Sequence, residues 1–264
     1  MTTTVVSDSP PLHLYSHPDA YSYSPKMTVF CDLDGPIVDV SDRYYTTYKL
    51  ALADTQAAYQ AQGVHLNIQQ LSKQEFWGMK RERVPDAEIA KSSGLQSSQI
   101  DAFRQQVMEL VNQPELLHLD RLQPGVQWAI ALLHSRGVRL ILVTLRSQTQ
   151  AYQLLQNYGL ARLFTSIRGT QVTDAAYNNY ANLKTQLLDE VVAELDSLIE
   201  SAWMIGDTEA DIIAGKALGI PTIAVTCGIR SSHQLQQFQP THILNDLIST
   251  AHHLLDCRQL IANC

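Results

Sequence analysis

Hydrophobic residues along most of the chain form short continuous runs that alternate with longer amphipathic stretches. Runs at 29–31, 138–143, 202–205 and 220–225 are typical of strands buried on both faces. The stretches at 125–135, 147–158, 182–195, 208–218 and 246–257 place apolar residues at helical spacing. Residues 164–167 fit a further short strand. This alternation predicts an α/β fold with a parallel sheet between two layers of helices.

Residues 42–120 follow a different pattern, which is helical and contains no strand-like run. Helical spacing begins at Tyr44 and stops at Gly63, and residues 100–111 form another amphipathic stretch. Between these two stretches, Ser72 and Glu75 match a capping box, which marks the start of another helix. We predict a helical cap domain over 42–120, inserted into a three-layer, Rossmann-like core formed by 27–41 and 121–264. Residues 1–26 lack apolar periodicity and predict a mobile tail.

Composition narrows the class of protein. With 264 residues, 45% of them hydrophobic and 17% charged, the chain can form one large domain, or a core with a smaller companion. The net charge of −7 argues against general nucleic-acid binding. No apolar run is long enough for a membrane span, and no secretory signal is evident. The four cysteines show no CxxC pair, so reduced thiols are expected. We expect a cytoplasmic monomer or homodimer without nucleic-acid or membrane partners.

The most informative residues follow the first apolar run. Asp32 and Asp34 stand one residue apart and are followed by Gly35 and Pro36. A buried strand that runs into a tight turn would place both carboxylates at its carboxyl end, where open parallel sheets form their sites. One carboxylate there can attack phosphorus while its neighbour moves protons. Asp39 is expected to have a structural role and cap the next helix.

Three further features follow in chain order. Thr144 closes the strand at 138–143, Lys184 lies at the start of a helix, and Asp207 and Asp211 follow the strand at 202–205. Each is modest evidence alone, but their order and their positions at strand ends and on the helices beyond form one consistent pattern.

Together these motifs resemble those of the haloacid dehalogenase-like superfamily, and within it the phosphoglycolate-phosphatase-like members. The resemblance covers about residues 27–250 and implies a cap of the C1 type. It implies that Asp32 is the nucleophile that forms an aspartyl-phosphate and that Asp34 is the general acid and base. It also implies that Thr144 and Lys184 contact the phosphoryl oxygens.

The same resemblance implies Mg²⁺, a hard cation that prefers oxygen ligands. Its expected protein ligands are the Asp32 side chain, the Asp34 backbone carbonyl and the Asp207 side chain. Asp211 would bind a metal-bound water or orient Lys184. The expected reaction is hydrolysis of the phosphomonoester of a small metabolite.

Several alternatives stay open. A sugar phosphomutase and a non-catalytic phosphometabolite-binding protein fit the same motifs. A dehalogenase is disfavoured, because halide leaves without a proton and needs no second acid such as Asp34. Many relatives have Thr where this chain has Pro36. Proline has no backbone N–H, so any contact that this amide makes with phosphate or within the turn is absent here. Arg146, Lys80 and Arg81 are candidate substrate contacts, but the sequence does not identify the substrate.

Overall fold

The computed structural model describes residues 27–171, 180–195 and 201–262, with side chains described through Asp256. The predicted tail at 1–26 lies outside the described residues. The side chains of Cys257 and Cys264 also lie outside them. Cys31 and Cys227 are free thiols. Within the described part, no helix combines the length and the apolar character needed to cross a membrane.

A six-stranded parallel sheet forms the centre of the molecule, in the order β5-β4-β1-β6-β7-β8. Its strands are β1 Thr28–Cys31, β4 Arg139–Ser147, β5 Ser166–Thr170, β6 Ala202–Gly206, β7 Thr222–Val225 and β8 His242–Leu244. β1 is central: Phe30 is in register with Ile141 of β4 and with Met204 of β6. All four residues of β1 are buried, because helices cover both faces of the sheet.

The two helical layers account for the three-layer core. The described helices of this part are α6 Val126–Ser135, α7 Gln148–Asn157, α8 Tyr180–Ala193, α9 Glu209–Ala217, α10 Ser232–Gln236 and α11 Leu247–Ala262. On one face, α6, α7 and α11 pack in one apolar cluster with Val29 and Cys31. On the other face, α8 and α9 pack with Phe30. Alternate side chains of β1 therefore enter opposite layers, as the pleat of a strand requires.

A helical insert separates β1 from the rest of the core. It begins and ends at an antiparallel pair, β2 Val38–Asp39 and β3 Arg121–Leu122, in which Val38 faces Leu122. Between them lie α1 Ser41–Gln60, α2 Lys73–Arg81, α3 Asp86–Ser92, α4 Ser98–Leu110 and α5 Pro114–Leu117. The insert has its own apolar cluster around Tyr48, Phe76 and Phe103. The limits 42–120 for a separate cap domain stay a prediction.

The predicted α/β fold is confirmed, with shifts at individual elements. The structure extends the strand expected at 138–144 to Ser147, with an irregular register between Thr144 and Ser147. The capping box at Ser72 is present. The sequence also favours Ser147 as the cap of the helix at 147–158, and Ser147 does stand at the N-cap of α7, but its side chain makes no capping hydrogen bond. Asp39 lies in β2, and its carboxylate accepts a hydrogen bond from the Ser41 N–H. The sequence did not reveal β2, β3, β8, α5 or α10 as separate elements.

Candidate active site

The carboxyl ends of three neighbouring strands open into one cavity of about 580 Å³. Asp32 follows β1, Thr144 lies in β4 and Asp207 follows β6, and all three line the cavity together with Asp34 and Lys184. The predicted residues therefore converge at the sheet edge where open parallel sheets form their sites. Residues of the helical insert, among them Tyr44, Lys80 and Arg83, also line the cavity.

Three buried carboxylates form an acidic cluster. One ligand atom each from Asp32, Asp207 and Asp211 lies within 4.8 Å of the other two. Oδ2 of Asp207 accepts a hydrogen bond from the Ile229 N–H at 2.6 Å. Its Oδ1 is buried and has no hydrogen-bond partner among the described residues.

The electrostatics of this cluster favour a cation. Burial, together with the charges of Asp211 and Asp34, raises the pKa of Asp32 to about 7 despite the opposing effect of Lys184. Burial and the charges of Asp211 and Asp32 also raise the pKa of Asp207 well above its usual value. Crowded, dehydrated carboxylates resist ionisation unless positive charge is near. The orphaned oxygen and the all-oxygen donor set fit a hard divalent cation such as Mg²⁺.

The Asp207 carboxylate occupies space that is free only because two neighbouring residues are glycines. A Cβ on Gly35 would lie 2.1 Å from Cγ of Asp207, and a Cβ on Gly228 would lie 2.0 Å from its Oδ2. Gly35 also has φ of +97°, a backbone conformation that other residues rarely adopt. The turn at Gly35 closes through the Gly35 N–H to Val38 O and the Ile37 N–H to Leu33 O. Neither bond needs the N–H that Pro36 lacks.

Lys184 bridges the nucleophile candidate and the acidic cluster. This buried side chain places Nζ 3.0 Å from Oδ1 of Asp32 and 2.8 Å from Oδ1 of Asp211. Burial alone would lower the pKa of Lys184, but Asp211 and Asp32 outweigh it and raise the value. The other oxygen of Asp211 accepts hydrogen bonds from the Thr208 N–H and hydroxyl. Asp211 thus orients Lys184 and also caps α9.

Asp34 lies outside the acidic cluster and is paired with arginines. Its Oδ2 is 2.9 Å from Nη2 of Arg43, and its Oδ1 is 2.7 Å from Nη2 of Arg146. Burial alone would raise the pKa of Asp34, but the two guanidinium groups, Arg146 first, outweigh burial and lower it. The ionised carboxylate is therefore the favoured form in this arrangement.

The remaining predicted residues have different surroundings. Thr144 is buried, and its Oγ1 accepts a hydrogen bond from the Arg146 N–H. Arg146 lines the cavity, but its side chain pairs with Asp34 and Asp120. Lys80 also lines the cavity and pairs with Asp86 at 2.8 Å. Arg81 is absent from the cavity lining and donates a hydrogen bond to Thr226 O.

A second group of cavity residues was not predicted. Arg230 and Arg83 both pair with the buried carboxylate of Glu209, and the Tyr180 hydroxyl donates to it. Burial alone would raise the pKa of Glu209, but the hydrogen bonds and charge of Arg230 outweigh burial and lower this pKa to about 2. Arg83 belongs to the insert and Glu209 to α9, so this group connects insert and core. The only available sequence signal was the position of Glu209 between Asp207 and Asp211.

Comparison with known proteins assigns the family. The sequence model of the family described as haloacid dehalogenase-like hydrolase matches residues 29–225 of this chain. The chain therefore belongs to this family, as its motifs predict. Phosphatase-named relatives make it an enzyme of the phosphatase class.

Two curated relatives illustrate the likeness. The chain is 27% identical over 234 residues to a protein from Dickeya dadantii named probable phosphatase IndB, covering 87% of this chain and 95% of that one. It is 30% identical over 125 residues to pyrophosphatase PpaX from Halalkalibacterium halodurans, covering 47% of this chain. The second alignment spans only 55% of the relative's length.

A solved structure shows the same fold. It is a haloacid dehalogenase-like family hydrolase from Streptococcus pneumoniae, matched with a TM-score of 0.64 and 20% identity. The match covers 86% of this chain and 98% of that one.

Proposed function

We propose that this protein is a Mg²⁺-dependent phosphomonoester hydrolase that acts on a small phosphorylated metabolite through an aspartyl-phosphate on Asp32. One observation carries the proposal: Asp32 lies at the end of the central strand, 3.0 Å from the Lys184 ammonium and within 4.8 Å of the other two acidic ligands. A nucleophilic carboxylate, a fixed cation and a divalent-metal site thus share one cavity.

In the first step, an oxygen of Asp32 attacks phosphorus. The new bond between Asp32 and phosphorus forms while the bond to the leaving-group oxygen breaks, and Asp34 in its protonated form gives that oxygen a proton. Because its arginine pairs favour the ionised form, Asp34 must take up a proton from water before this step. Lys184 and the Thr144 hydroxyl stabilise the negative charge on the transferring phosphoryl group.

In the second step, water attacks the phosphorus of the aspartyl-phosphate. Its proton passes to Asp34 while the bond between phosphorus and Asp32 breaks, which regenerates both carboxyl groups. The pairing with Arg146 and Arg43, which lowers the pKa of Asp34 against the effect of burial, favours the ionised form that accepts this proton. Asp32, Asp207 and the Asp34 carbonyl would hold Mg²⁺, which when bound neutralises the charge between nucleophile and phosphate.

The cavity and its lining favour a small substrate. Its volume of about 580 Å³ is within the range for small-molecule sites. Lys80, Arg83 and Arg230 line the cavity, and each of them pairs with a carboxylate. These features suit phosphate esters of small metabolites. The name of the relative PpaX adds pyrophosphate to the panel for testing, and the resemblance to phosphoglycolate-phosphatase-like proteins adds phosphoglycolate.

The test is release of inorganic phosphate from p-nitrophenyl phosphate and from a metabolite panel, with Mg²⁺ or with EDTA. Asp32→Asn should lower kcat by about 1,000-fold or more, because the amide is a poor nucleophile. Asp42→Asn is the matched control: this carboxylate is exposed and pairs with Lys73. Equal turnover by wild type and Asp32→Asn would exclude Asp32 as the nucleophile. Transfer to a sugar hydroxyl without phosphate release would indicate a mutase.

A further inference from the structure

Asp34 belongs to a buried cluster of four charges that the proposed reaction does not explain. Besides their contacts with Asp34, both arginines bind Asp120: Nε of Arg43 at 2.8 Å and Nη2 of Arg146 at 2.6 Å. The side chains of Arg43, Arg146 and Asp120 are 1%, 2% and 0% exposed, whereas that of Asp34 is 26% exposed. Asp34 is therefore the most accessible member of the cluster.

The cluster also connects Asp34 to both ends of the helical insert. Arg43 lies in the first turn of α1, and its Nη1 donates to Val111 O at 2.8 Å and to Oδ1 of Asn112 at 3.0 Å. Asp120 immediately precedes β3. All three nitrogens of the Arg43 guanidinium thus have hydrogen-bond partners. Because Nε and Nη1 are held by residues of the insert or beside it, Nη2, which binds Asp34, cannot move independently of the insert.

Stability alone is a weak reason for such a cluster. Burying four charges has a large desolvation cost, and buried ion pairs often add little net stability. The geometry instead restricts Asp34, because Nη2 of Arg43 donates a hydrogen bond to its Oδ2 and Nη2 of Arg146 forms an ion pair with its Oδ1. Guanidinium groups hold planar carboxylates in a defined orientation, which ammonium groups do not.

We propose that Arg43 and Arg146 are positioning residues that aim the Asp34 carboxyl group at the leaving-group oxygen. This inference rests on the proposed function, and neither arginine exchanges a proton. In the first step, the proton moves from Asp34 to the leaving oxygen as its bond to phosphorus breaks. Misplacing Asp34 should therefore harm esters with poor leaving groups most, because these need the proton most.

The experiment compares kcat for p-nitrophenyl phosphate, a good leaving group, with kcat for glycerol phosphate, a poor one. Arg43→Lys and Arg146→Lys should each lower kcat for glycerol phosphate by about 10- to 100-fold. They should lower kcat for p-nitrophenyl phosphate by less than about threefold. Arg168→Lys is the matched control: it makes the same exchange in an ion pair with Glu194, outside the cavity lining, and should leave both values unchanged.

A double-mutant cycle separates positioning from simple structural support. If Arg43 acts through Asp34, then Arg43→Lys should cost nothing further in the Asp34→Asn background. Equal losses on both esters, or equal losses in both backgrounds, would overturn the inference while leaving the proposed function intact. A wild-type protein that releases phosphate from no ester of the metabolite panel would overturn the proposed function, and this inference with it. If glycerol phosphate is not hydrolysed, the panel ester with the poorest leaving group that is hydrolysed takes its place.

Discussion

At the scale of single residues, the fit around Asp207 gives a sharp prediction. Gly228→Ala would place a Cβ only 2.0 Å from Oδ2 of Asp207, so the carboxylate must shift. We expect the Mg²⁺ concentration for half-maximal activity to rise by about tenfold or more, the effect typical of changes beside metal ligands. Titration of activity with Mg²⁺ measures this. Gly78→Ala is the control, because nothing lies within 4 Å of its added Cβ. An unchanged Mg²⁺ requirement for Gly228→Ala would contradict the site.

A second residue-scale prediction concerns pH and Glu209. Its folded-state pKa of about 2 is below its unfolded value, so its ion pairs stabilise the protein above the unfolded pKa. That contribution is lost as pH falls from about 4.5 toward 2. At pH 7, the free energy of unfolding of Glu209→Gln should therefore be about 3 kcal/mol lower than that of wild type. Denaturant unfolding at several pH values should show the difference shrinking below pH 4. A difference independent of pH would refute this assignment.

Local sequence patterns predicted which residues would meet at the sheet edge, while the roles of these residues stay predictions. Asp32 and Asp207 were identifiable because each follows an apolar run, and strands of a parallel sheet end at one edge. Arg43 and Asp120 were not identifiable, because they are 77 residues apart and meet only after the insert folds. No local spacing encodes such a contact.

At the scale of elements, the capping box of α2 is the clearest example of a local rule. The Ser72 hydroxyl accepts from the Glu75 N–H, and the Glu75 carboxylate accepts from the Ser72 N–H. Ser72→Ala should lower the free energy of unfolding by about 1 kcal/mol, because an N–H of the first turn loses its partner. Denaturant unfolding measures the change, with exposed Ser92 in α3 as the Ala control. A loss no larger than that of Ser92→Ala would show that the box contributes little.

The elements missing from the sequence prediction are all short. β2 and β3 have two residues each, β8 has three, α5 has four and α10 has five. Periodicity needs several repeats before it differs from chance, so these segments give no signal. The long elements were found, but their ends shifted. α1 begins at Ser41, not Tyr44, because the Asp39 carboxylate binds the Ser41 N–H just before the apolar spacing starts.

At the scale of the whole molecule, metal binding and folding should be linked. The folded protein brings three carboxylates within 4.8 Å, which the unfolded chain does not. Mg²⁺ at about 100 times its dissociation constant should therefore add about 2.7 kcal/mol to the free energy of unfolding. Thermal unfolding should show this as a rise in Tm of about 5–10 °C. KCl at matched ionic strength is the control, because general screening is not specific to the cluster.

Asp207→Asn tests the same linkage from the opposite direction. Burial and neighbouring charges raise the folded-state pKa of Asp207, so without metal this carboxyl group favours folding less as pH rises above its unfolded value near 4. The neutral amide has no such penalty and can still accept from the Ile229 N–H. Without metal at pH 8, the variant should therefore be about 1–3 kcal/mol more stable than wild type. Most of its Mg²⁺-dependent rise in Tm should be lost. If Mg²⁺ stabilises Asp207→Asn as much as wild type, then the ion binds elsewhere and the acidic cluster is not its site.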